Sequence, residues 1–138
     1  MADAFYQEYM QNLLAGTSGY DLDATEGATG VYVALIDTGV YTFNQAHEFY
    51  SDLTGIVGTP VEILTKTVTN GTFDGADITF TSVTGATVEA IVFYRQNAGA
   101  NTTWPLIAYE DTGVTGLPVT PNGGNISITW NASGIFKL

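Results

Sequence analysis

The sequence predicts a mainly β domain: an antiparallel β-sandwich or jelly-roll-like fold with a short N-terminal helix and one small internal helix. Three observations predict it. Short runs rich in Val, Ile, Thr, Phe and Tyr recur between turn signals at 31–37, 61–69, 72–81, 87–95, 104–110 and 125–130, without βαβ alternation. Ile126, Ile128 and Trp130 alternate with Asn125, Ser127 and Thr129, the period-two pattern of a half-buried strand. Asn70-Gly71, between the second and third runs, favours positive φ at successive positions and marks a tight hairpin.

The elements follow in chain order. Residues 3–14 carry Phe5, Tyr9 and Leu13 at spacing four, with Tyr6, Met10 and Leu14 beside them, which predicts a helix. Asp3 is its expected N-cap and Gly16 its left-handed stop. Apolar residues cover more than one face, so the helix either packs on its own core or acts as an arm that touches another subunit. Residues 17–30 read as a polar loop. A second short helix is expected at 44–53, capped by Asn44 and ended by Gly55. Val83-Thr84-Gly85-Ala86 is a turn, and Glu89-Ala90-Ile91-Val92-Phe93-Tyr94 is apolar enough for a strand covered on both faces. Residues 98–103 are small and uncharged, as in an exposed loop. The chain ends Ile135-Phe136-Lys137-Leu138, apolar where chain ends are usually polar, so this end is expected to dock in the core or on a neighbour. The expected organisation is an N-terminal helix or arm over 1–16 and a single β-rich domain over 17–138.

Composition sets limits on function. At 138 residues with 45% apolar residues, one core is affordable without staples, and the absence of cysteine removes disulfides and thiolate chemistry. No apolar run approaches the roughly 18 residues of a membrane span, and Met1-Ala2-Asp3 lacks the basic start of a signal peptide, so a soluble protein made in a cytoplasm is expected. Three basic residues, Lys66, Arg95 and Lys137, stand against fourteen acidic ones, for a formal charge of -11. Nucleic-acid binding needs several cations to neutralise phosphates, so neither a nucleic-acid nor an anionic-membrane partner is expected.

Reactive groups are sparse. His47 is the single histidine, and no Ser or Cys motif identifies itself as its partner. Asp21, Asp23 and Glu26 offer oxygen ligands to calcium, but without the spacing of an EF-hand loop; Asp74 and Asp77 are equally unspecific. Glu110 and Asp111 are neighbours on a strand, point to opposite faces and cannot both flank one glycosidic bond. No enzyme activity, no cofactor and no metal are expected. Trp104 and Trp130 read as core or as interface anchors.

Val31-Tyr32-Val33-Ala34-Leu35-Ile36-Asp37-Thr38, Ala46-His47-Glu48-Phe49, Lys66-Thr67-Val68-Thr69-Asn70-Gly71, Asp77-Ile78-Thr79-Phe80-Thr81 with Val83-Thr84-Gly85, Leu106-Ile107-Ala108-Tyr109, and Leu117-Pro118-Val119-Thr120-Pro121-Asn122-Gly123-Gly124 through Ile135-Phe136-Lys137-Leu138 carry a likeness over nearly the whole chain. In these segments the sequence resembles small β-rich virion structural proteins of tailed bacteriophages. The resemblance implies a decoration or cement protein on the outer capsid, bound to the major capsid protein or other virion proteins. It transfers no functional residue individually, because its motifs define strands and turns. A closed homo-oligomer, a trimer first, would repeat one contact at each joint of the shell. The expected contact residues are Phe5, Tyr6, Tyr9, Met10, Leu13, Trp104, Ile135, Phe136 and Leu138. The rival expectation is a tail or surface adhesion module for a host glycan or receptor, which would show exposed aromatics around Tyr41, Trp104 and Tyr109.

Overall fold

A computed structural model describes residues 4–138; Asp3, the expected helix cap, lies outside the described residues. The chain begins with the two-residue strand β1 (Ala4–Phe5) and the helix α1 (Gln7–Leu14). It continues through β2 (Val31–Ile36), β3 (Ile56–Glu62), β4 (Thr67–Thr69), β5 (Thr72–Asp74), β6 (Ile78–Phe80) and β7 (Ala90–Arg95), then β8 (Leu106–Glu110), β9 (Ile126–Ile128) and β10 (Phe136–Lys137). All the pairings are antiparallel. A five-stranded sheet has the order β1-β8-β7-β2-β3, a three-stranded one β10-β5-β4, and a two-stranded one β6-β9. The expected mainly β, antiparallel sandwich is what the chain forms.

β7 is buried at every position, as its unbroken apolar run predicts for a central strand. Its two faces meet different layers. Phe93 packs against Trp130 and, edge-on, Phe136, so this face is covered by the C-terminal segments that belong to the small sheets. Tyr94 stacks with Tyr32 and Trp104 and touches Tyr50, so the opposite face is covered by aromatic-rich loops. Tyr109, opposite Val92 in the register, extends this layer to Phe43 and Tyr41.

Several elements differ from expectation for identifiable reasons. The N-terminal helix starts at Gln7 because Ala4–Phe5 pairs with β8 and the Tyr6 N–H donates to the Ile107 carbonyl. Gly16 does stand in the left-handed region, at φ 68°. The helix expected at 44–53 is reduced to one 3-10 turn, Tyr50–Asp52. Asn44 uses its side-chain oxygen on the Ala46 N–H in a local turn, and the Glu48 and Trp104 carbonyls accept from the Leu106 and Tyr50 N–H groups, which ties the segment to the start of β8 instead of to its own backbone.

The strand expected at 61–69 divides where Thr65 takes φ 51° and the chain leaves the large sheet for the small one. The strand expected at 72–81 divides after Asp74. Gly75 passes so close to Ile63 that an added Cβ would lie 2.4 Å from its Cγ2, a space only glycine fits. No helix among the described residues is long and apolar enough to cross a membrane.

Candidate functional site

The sheet β10-β5-β4, the terminal sheet, runs from the core at Phe136 to the open edge strand β4. Its hairpin turns through Asn70 and Gly71 at φ 53° and 78°, the positive pair that a two-residue type I′ turn requires. The C-terminus supplies the third strand, with Phe136 opposite Phe73, Lys137 opposite Thr72, and the Leu138 N–H donating to the Gly71 carbonyl at 2.9 Å. Phe136 sits among Phe5, Phe73 and Phe93 at ring separations of 5.1, 5.1 and 5.6 Å. The apolar chain end is thus docked in the protein's own core.

Cross-strand neighbours lie on one face of a sheet, so Phe136, Phe73 and Val68 form a single apolar row. The row runs outward from the core. Phe73 is buried, while Val68, on the edge strand β4, is 50% exposed. Leu64, four residues before it in the chain, and Leu138, whose N–H bonds the Gly71 carbonyl of the same hairpin, are 47% and 48% exposed. The other face of the same sheet carries the polar row Lys137, Thr72 and Thr69, with Thr67 opposite Asp74.

Charge is distributed unevenly. Arg95 is buried, donates from Nε to the Asp21 carbonyl at 3.1 Å and is ion-paired with the Asp21 carboxylate at 3.2 Å. Lys66 and Lys137, both on this terminal sheet or at its start, have no ion-pair partner among the described residues. The acidic loop is tied to the chain just before Lys66: Glu26 accepts the Thr65 N–H at 2.6 Å, and Glu62 accepts the Gly27 N–H at 2.6 Å.

The residues expected to make contacts fall into distinct places. Tyr6 and Tyr9 are corrected to core positions, with 0% and 1% exposure and no surface to offer a neighbour. Tyr6 bonds the Tyr41 hydroxyl at 2.9 Å, and Tyr9 donates to the Tyr20 carbonyl, so α1 is packed down by its aromatic face. Phe5, Met10, Leu13, Trp104, Ile135 and Phe136 are half-buried against the core, and Leu138 is exposed at the terminal sheet. Val68 and Leu64 were not legible as contact residues, since Thr67-Val68-Thr69 alternates like any half-buried strand.

The remaining candidate groups are engaged in structure. His47 Nδ1 bonds the Tyr41 hydroxyl at 2.9 Å, which continues the chain from Tyr6. Burial, then the Tyr41 hydrogen bond, holds the Tyr6 phenol well above the ordinary tyrosine range, so it stays protonated and suits a packing role. Asp52 lies beside this group, and the N–H groups of Phe49 and Glu48 hold its carboxyl below the usual carboxylate range. Asp21 and Glu26 brace the loop instead of converging, and no described group of three His, Asp or Glu side chains could hold a metal ion.

Asp111 lines a depression of about 380 Å³ with Thr38, Tyr41, Phe43, Glu89 and Tyr109. Glu110 lines a different one with Trp130 and Ile135. The two neighbouring carboxylates serve separate surfaces. Tyr41 and Tyr109 are 2% and 3% exposed, so their ring faces are turned inward. The sequence matches no protein-family model and no curated protein.

Proposed function

We propose that this chain is a structural protein of a tailed-bacteriophage virion, a decoration or cement protein that binds between subunits of the outer shell. The observation that carries the reading is the small sheet β10-β5-β4, where the apolar row Phe136-Phe73-Val68 ends exposed at Val68 and the chain segments next to it leave Leu64 and Leu138 exposed. Each half-exposed aliphatic side chain that a partner covers contributes about 1 kcal/mol. A cluster of them on a strongly charged surface marks a protein-binding surface.

Two further considerations support it. The likeness read in the segments quoted under Sequence analysis implies a virion structural role. The formal charge of -11 repels packaged DNA and favours the solvent side of the shell. A protein that binds only the assembled shell stabilises it by mass action, about 2.7 kcal/mol per site at one hundred times Kd.

The adhesion reading needs ring faces on which a sugar can stack. Tyr41 and Tyr109 are buried, and Trp104, the third aromatic it relies on, is partly buried and stacked on Tyr94. The test is co-sedimentation of the purified protein with empty shells, followed by heating. Saturable binding in fixed proportion to shell subunits and a raised disruption temperature are expected; the absence of binding, or turnover of a sugar or peptide, overturns the proposal.

A further inference from the structure

We propose that Asn70 is a modification site, the place where this chain deamidates to isoaspartate, and that the C-terminal strand β10 holds the reaction in check. The inference goes beyond the proposed function and holds whatever covers the terminal sheet. The step is an intramolecular exchange. The Gly71 backbone nitrogen attacks the Asn70 Cγ, a C–N bond forms there, the Cγ–Nδ2 bond breaks, and ammonia leaves with the proton lost from the Gly71 amide. Water then opens the cyclic imide at either carbonyl, which yields aspartate or isoaspartate at this position.

The reacting groups are accessible. Asn70 and Gly71 are both exposed, glycine has no Cβ to shield its nitrogen, and among the described residues the Gly71 N–H donates to no acceptor. The turn supplies the restraint. In a type I′ turn the first central residue has a ψ of about 30°, which sets the next nitrogen nearly opposite its Cβ across the Cα–C bond. No rotation of the Asn70 side chain then brings Cγ onto that nitrogen. Ring closure needs the Asn70–Gly71 peptide to swing round, which opens the hairpin between Thr69 and Thr72. The Gly71 carbonyl, which accepts the Leu138 N–H at 2.9 Å, is carried along, so β10 clamps the turn.

The other Asn-Gly pair, Asn122-Gly123, is an internal reference. Gly123 donates its N–H to the Val83 carbonyl at 2.8 Å, and the Asn122 side-chain oxygen accepts the Gly124 N–H at 2.9 Å. Both reacting groups are engaged there, through residues outside β10.

The two products at Asn70 differ in consequence. Aspartate keeps the turn, since Asp-Gly suits it as Asn-Gly does. Isoaspartate routes the main chain through Cβ and Cγ and adds a methylene to a two-residue loop whose length fixes the register. The Thr69–Thr72 pair and the Leu138 bond then no longer align, and β10 loosens. The reaction is gated by the strand that it goes on to release.

Peptide mapping for isoaspartate over time tests this, on the full chain kept folded in mildly alkaline buffer and on the same chain in urea. In urea the two Asn-Gly pairs should convert at similar rates. In the folded chain Asn70 should be slower on the order of a hundredfold, because opening gives up the Leu138 bond and the Thr69–Thr72 pair, yet still ahead of Asn122. Leu138→Pro removes the clamping N–H and should speed Asn70 about fivefold, with the circular dichroism spectrum and the Asn122 rate unchanged. Deleting Leu138 removes the same N–H without a proline and should act alike, whereas Leu138→Ala keeps it and should leave the rate as it was. The isoaspartate form, separated by ion exchange, should lose its last residues to carboxypeptidase faster than the untreated chain. Conversion of Asn70 as fast folded as in urea, Asn122 converting first, equal rates in the Leu138 deletion and Leu138→Ala, or equal digestion of the two forms overturns the proposal.

Discussion

At the scale of single residues, the terminal sheet is shaped by three backbone positions with positive φ that differ in what they cost. Asn70 and Gly71 adopt the left-handed region with residues suited to it, whereas Thr65, at φ 51°, is β-branched and strained by about 1–2 kcal/mol. The hydrogen bond from its N–H to Glu26 helps hold it there. Thr65→Gly should therefore raise stability by about 0.5 kcal/mol, the relief of strain being partly offset by glycine's greater freedom in the unfolded chain. Gly71→Ala should do the opposite and cost about 1–2 kcal/mol, since its φ is 78° and a Cβ would sit 3.0 Å from the Leu138 carbonyl oxygen. Urea unfolding of both variants checks the pair, and equal signs would refute the backbone argument. The sequence announced the first turn because Asn-Gly has its own turn chemistry. Nothing in the threonine side chain marks Thr65 as left-handed.

At the scale of elements, the order of strands and their antiparallel pairing were legible, while breaks and borders were set by contacts between distant segments. Ile126 and Ile128 are buried and Ser127 is exposed, as their alternation requires. Residues 44–53 looked helical by local signals but form a turn and one 3-10 turn instead, because Glu48 and Tyr50 bond to residues 104–106, a partner no window around Asn44 reveals. The candidate site was half legible. The apolar ending pointed to a docked terminus, and β10 is that terminus, but the edge position of Val68 follows only from knowing that β10 and β5 lie to one side of it. β10 also ties the terminal sheet to the large one through Phe136, which meets Phe5, Phe73 and Phe93. Phe136→Ala should cost about 3 kcal/mol in urea unfolding and expose the face of Phe73 to solvent. A loss below about 1 kcal/mol would show that the strand is only loosely attached.

At the scale of the whole molecule, the layer that covers one face of the large sheet is built from tyrosines whose protons the fold retains. An unfolded tyrosine ionises near pH 10, whereas burial holds Tyr6, Tyr9 and Tyr94 well above that, and burial followed by the Asp111 charge pushes Tyr109 up to about 12. Below pH 10 both states carry these protons, and the stability the layer contributes is complete. Above pH 10 the unfolded chain releases protons that the folded chain keeps, so stability falls with rising pH until the folded-state values are reached. For Tyr6, Tyr9 and Tyr94 together the slope is about 4 kcal/mol per pH unit, at 1.36 kcal/mol for each retained proton. A domain of this size has roughly 5–15 kcal/mol in all. The formal charge of -11 adds repulsion as each phenolate appears. The fold should collapse cooperatively above pH 10, with phenolate absorbance and the loss of circular dichroism rising in a single step. Phenolate absorbance that climbs near pH 10 while the native spectrum persists would mean that the tyrosine layer is open to water.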